Sequence, residues 1–218
     1  MRAPLFALTT SLLAALALGS ASCKSAYYST MEKFGVEKRD ILVDRVEDAR
    51  EDQAEAKEQF QTTFEAFQQL TGFDGGELEA KYKKLSKELK RSEDAASSVS
   101  SRISSIESVA TDLFSEWSSE IGQISDANMR RSSETLLRDT QASYDKLVTS
   151  MRKAESKMDP VLQKFRDQVL FLKHNLNAQA IGSLQGDLGS IEAEVERLIQ
   201  EMQASIDEAD SFIASMST

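Results

Sequence analysis

Residues 78–124, LEAKYKKLSKELKRSEDAASSVSSRISSIESVATDLFSEWSSEIGQI, decide the fold. Apolar side chains recur in them at alternating steps of four and three: Leu78, Tyr82, Leu85, Leu89, Ser92, Ala96, Val99, Ile103, Ile106, Ala110, Leu113, Trp117, Glu120 and Ile124. Twelve of these fourteen positions are apolar, where a chain that is 40% apolar would place about six. A mean step of 3.5 keeps returning to one side of an α-helix and to no single side of a strand. The spacing therefore predicts a helix of about 46 residues, roughly 70 Å long, with one continuous apolar seam.

Three further segments keep the same rhythm. Upstream it runs Leu42, Val46, Ala49, Gln53, Ala56, Phe60, Thr63, Phe67, Leu70, and it stops at the glycine-rich turn Thr71-Gly72-Phe73-Asp74-Gly75-Gly76. Downstream, Gly122 and the capping pair Ser125-Asp126 mark a reversal, followed by Leu137, Thr140, Tyr144, Leu147, Met151, Ala154, Met158, Val161, Phe165, Gln168 and Leu172. Pro160 falls inside this run, but the phase crosses it unchanged, so a kinked continuous helix is expected rather than a break with Asp159 as cap. Phase is lost between His174 and Ala180, beside Asn175 and Asn177, and resumes at Ile181, Leu184, Leu188, Ile191, Val195, Leu198, Met202, Ser205, Ala209, Phe212 and Met216. Four segments of near-equal length with short connections imply an all-α fold, a long antiparallel four-helix bundle or coiled coil. The competing reading joins the last two segments into one helix of about 90 residues, against the usual range of helix lengths.

Composition agrees. Two prolines and nine glycines in 218 residues are too few for a turn-rich β fold. One His and one Cys cannot assemble a Cys/His zinc site, and position 171 is Phe, so even one Glu-x-x-His copy of a di-iron bundle is missing around His174. No cofactor, metal or enzymatic activity is expected. A net charge of −10 argues against nucleic acid as partner.

The first 22 residues read as an address. Arg2 is followed by an apolar stretch from Leu5 to Leu18 and then by the small residues Gly19, Ser20, Ala21 and Ser22, the three-part layout of a cleaved secretory signal. It is too short for a permanent membrane span. Cys23 comes next, and the position resembles the lipidation site of bacterial lipoproteins. Ser20 departs from that pattern, which usually has Leu there, so plain cleavage after Ser22 stays open. A free thiol in an oxidising compartment invites intermolecular pairing, whereas a lipidated cysteine is inert, and this favours lipidation. On that resemblance, Lys24 rather than Asp implies the outer membrane. Removal of the signal leaves 196 residues carrying 25 basic and 36 acidic side chains, a charge of −11. The expected organisation is a signal at 1–22, a lipidated N-terminus and tether at 23–30, and the helical domain at 31–218.

Tyr27-Tyr28 with Met31-Glu32-Lys33, the block from Lys38 to Phe60 and the block from Phe165 to Leu198 resemble a Proteobacterial family of helical envelope proteins catalogued only as a domain of unknown function. The resemblance covers nearly the whole mature chain. It implies no catalytic residue.

The strongest local anomaly is an acidic ladder. Asp40, Asp44, Asp48 and Asp52 recur every four residues, as do Glu47, Glu51 and Glu55, and like charges at that spacing disfavour an isolated helix. Either basic residues offset them (Arg45 and Arg50 in the same segment, or Arg130, Arg131, Arg138, Arg152 and Lys153 from neighbours), or the stripe is a face for cations or a basic partner. Gly182, Gly186 and Gly189 suggest a close helix crossing or a hinge. Trp117, Phe60, Phe64, Phe67, Met151 and Met158 belong to the core. The lone His174 reads as a turn residue. The functional expectation is a lipid-anchored, periplasm-facing helical protein with a structural or protein-interaction role and an unknown envelope partner. The alternative is a bundle that holds an apolar ligand such as a lipid. Heptad seams serve equally within and between chains, so a homo-oligomer is also open.

Overall fold

The computed structural model describes residues 37–72 and 78–216. Among them are four helices and no strand: α1 (Lys38–Thr71), α2 (Leu78–Ile121), α3 (Ala127–His174) and α4 (Ala178–Met216). Among the described residues, those from Leu42 onward form the body of the bundle, and those up to Ile41 belong to a separate unit. In that unit the first turn of α1 opens with the Asp40 and Ile41 N–H groups donating to the Glu37 carbonyl at 3.0 and 3.2 Å. The expected signal, Cys23 and the tether lie outside the described residues, as do positions 73–77 of the glycine turn.

Local chemistry sets both ends of α3 and the start of α4. Asp126 caps α3, its carboxylate accepting from the Asn128 and Met129 N–H groups at 2.8 Å each. At the other end the Asn175 N–H donates to the Leu172 carbonyl and its amide to the Phe171 carbonyl. Asn177 then accepts from the Ala180 N–H at 3.0 Å, starting α4. The two asparagines thus make the reversal, and the single 90-residue helix is excluded. α3 runs unbroken through Pro160, as the unchanged phase predicts.

With connections this short, successive helices run antiparallel. Cross-helix bonds show the order around the bundle. α1 meets α2 through Asp52 and Arg102, α2 meets α3 through Glu107 and Arg152, α3 meets α4 through Lys164 and Glu194, and α4 closes back on α1 through Asp210 and Arg50. Phe67 and Phe165 touch across the diagonal, ring centroids 6.1 Å apart and edge to face.

All nine seam positions predicted in α1, from Leu42 to Leu70, are buried, including the polar Gln53 and Thr63. Phe64, one position off the seam, is only half-buried. Ten of the eleven seam positions in α4 are buried; Leu188 is half-buried. Burying one such side chain contributes about 1.5–3 kcal/mol, so the seam outweighs any surface interaction described below.

The expected core is too long at one end. In α2 Trp117 is half-buried, and Ile121 is buried where the heptad count points to the exposed Glu120. In α3 full burial begins only at Leu147; Leu137, Thr140 and Tyr144 are half-buried, and Met129 and Leu136 on the same side as Leu147 are exposed. This stretch packs on α2, Tyr144 edge to face on Phe114 at 5.3 Å and Ser133 accepting from the Trp117 indole N–H at 2.9 Å. A helix pair covers less of each seam than four helices do, and periodicity does not report how many neighbours a seam has.

Candidate functional site

The acidic ladder of α1 divides into two faces. Successive residues of a helix lie about 100° apart, so each step of four drifts by about 40°, which carries Asp48 and Asp52 towards α2 and leaves Asp44 with the glutamates. Asp48 and Asp52 turn inward against α2. The Arg102 guanidinium bridges them, 2.8 Å to Asp48 and 3.0 Å to Asp52, and Ser98 donates to the same Asp52 oxygen at 2.6 Å. The hydrogen bond to Asp52, assisted by both carboxylate charges, raises the Arg102 pKa above its ordinary value. Asp44, Glu47, Glu51 and Glu55 point outward and are exposed. Arg50 lies 3.6 Å from Glu51, but its stronger bond is to Asp210 of α4, at 2.9 Å. Asp40, exposed, lies in the unit before Leu42.

Four of the five basic neighbours expected to offset the ladder are engaged elsewhere. Arg152 bridges Glu107 and Glu155 at 2.5 and 2.7 Å, Lys153 pairs with Glu201, Arg138 with Asp139, and Arg131 donates to Asn128. Arg45, 3.7 Å from Asp48, and Arg50, 3.6 Å from Glu51, are the same-helix partners that do contribute. Arg102 is not among the partners expected from spacing along the chain. Its signal is the hairpin itself, because Arg102 and Asp48 stand at similar distances on either side of the glycine turn.

A second polar cluster lies between α1 and α2. Thr63 Oγ1 sits 3.0 Å from the Glu88 carbonyl and 2.8 Å from Ser92 Oγ. The Gln59 amide and the Arg91 guanidinium donate to the Glu88 carboxylate at 3.1 and 3.2 Å. Burial pushes the Glu88 pKa up, but these donors outweigh it and hold the carboxyl below its usual range. Glu155 behaves alike: burial is outweighed by donation from Ser100 and Arg152. On Tyr144, burial and the nearby Glu107 charge act together and push the phenol up to about 12.

Among the described residues no three His, Cys, Asp or Glu side chains gather as a cation site would require. The ladder is a stripe, with no convergence of oxygen ligands. His174 is exposed in the last turn of α3. A Cβ built on Gly182, Gly186 or Gly189 meets nothing within 4 Å, so no close crossing inside the bundle depends on these glycines. They lie on the open side of α4. The spacing of small residues shows a stripe, but only the wheel position against Ile181, Leu184 and Ile191 shows that it faces away from the core.

The molecule is thus a helical bundle whose interior seam is mostly apolar and whose adjacent helices are joined by ion pairs along their edges. The chain belongs to the family described as Protein of unknown function (DUF2959), which it matches over residues 27–216. No curated protein matches it.

Proposed function

We propose that this protein is a non-enzymatic interaction rod of the bacterial cell envelope, held to the membrane by lipid on Cys23, facing the periplasm and more specifically at the outer membrane. The observation that carries the interaction role is the split of the α1 ladder. Asp48 and Asp52 serve the bundle through Arg102, while Asp44, Glu47, Glu51 and Glu55 stand outward. Like charges along one helix face disfavour the helix, and the outward ones take no part in the Arg102 bridge. A basic protein surface complements them. The anchor and the location rest on the signal layout and on Cys23, and the family match begins at Tyr27, just beyond both. No helix among the described residues is long and apolar enough to cross a membrane.

The interaction reading is preferred to an apolar-ligand site because large side chains already fill the seam: Phe60, Phe67, Phe165 and Phe212 are each less than 2% exposed. Photo-crosslinking in cells from position 58, exposed on the same outward face of α1, tests the reading. One discrete envelope protein should be captured, and capture should fall when Asp44, Glu47 and Glu51 are changed together to Lys. Capture that survives this charge reversal would count against the acidic face.

A further inference from the structure

We propose that Gln53 and Ser205 together hold ordered water inside the bundle, in the seam between α1 and α4. Both side chains are completely buried. The Gln53 amide nitrogen and oxygen and the Ser205 hydroxyl have no hydrogen-bonding partner in the protein. The two residues share a level. On the rim of the seam Arg50 reaches Asp210 and Lys57 reaches Gln203. Gln53 lies between Arg50 and Lys57 on α1, and Ser205 between Gln203 and Asp210 on α4.

Other buried polar side chains of the seam are satisfied by the protein: Thr63 and Ser92 bond each other and Glu88 takes Gln59 and Arg91. At the Gln53 level the amide can donate two bonds and accept two, the hydroxyl adds one donor, and a buried polar group without a partner is strongly unfavourable. The residues around this level are small: the seam neighbours of Gln53 are Ala49 and Ala56, that of Ser205 towards the C-terminus is Ala209, and Ala154 of α3 lies next to the Lys153–Glu201 bridge; all four alanines are buried. Polar surroundings with room and two to four partners are what an internal water needs.

A crystal structure at about 1.5 Å or better tests this, paired with one of the Gln53→Leu/Ser205→Ala double variant. The wild-type protein should show solvent density within hydrogen-bonding distance of the Gln53 amide and Ser205 Oγ, and the double variant should show none there. A dry wild-type seam, or water that persists in the double variant, would overturn the proposal. If the double variant does not crystallise, water-to-amide cross-relaxation at the backbone of Gln53 and Ser205 in solution decides the matter: its presence in the wild type supports the site and its absence contradicts it.

Discussion

At the scale of single residues, magnitude separates what holds the bundle from what sets its register. Exposed or half-exposed ion pairs contribute about 0–1 kcal/mol, whereas truncating a buried phenylalanine costs about 3–5 kcal/mol. Phe67→Ala or Phe165→Ala is therefore expected to lower stability by about that amount in denaturant unfolding, and the double variant by less than the two losses combined, because the rings touch. Arg102→Ala should cost about 1 kcal/mol or less under the same measurement. Tyr144 supplies a pH signature. Its folded pKa, about 12, lies above the ordinary 10.0, so its contribution is intact below pH 10 and is lost as pH rises towards 12. Ultraviolet titration should show one late-ionising tyrosine, absent in Tyr144→Phe. The seam residues are legible one by one in the sequence because a heptad position specifies a direction. Arg102 and the buried Gln53–Ser205 level are not, because a pairing between helices depends on register, which a single helix does not display.

Helices and their ends form the next scale. Asp126→Ala removes the side-chain oxygen that accepts two N–H groups at the start of α3, and should cost about 1 kcal/mol. Gly182, Gly186 and Gly189 make the opposite prediction. Each sits in a helix with open space where a Cβ would go, so Ala at each position should stabilise by roughly 0.5–1 kcal/mol. A loss of stability in any one of these variants, read by thermal unfolding, would restore the close-packing role that the glycine spacing suggests. Caps and breaks are readable from Asp126, Asn175 and Asn177 because their chemistry is local. The glycine stripe misleads because small-residue spacing looks the same on a packed face and on an open one. Likewise, the periodicity of α3 extends past its four-helix core, since a helix keeps its seam whether one neighbour or three lie against it.

For the whole molecule, the balance of charge makes stability depend on acid. Glu88 and Glu155 have folded pKa values below the ordinary 4.5, so their support is full above that value and fades as pH falls through the lowered ones. The urea midpoint should drop below pH 4.5, and less steeply in Glu88→Gln than in the wild type. In the function proposed above, one residue, Cys23, joins this bundle to a membrane. The most direct test is the intact mass of the mature protein recovered from membranes. The expected result is a chain that begins at Cys23 and carries covalent acyl chains, at least two for stable attachment, resisting extraction by salt. A chain beginning at an unmodified Cys23, one that still carries residues 1–22, or release by salt alone would contradict it.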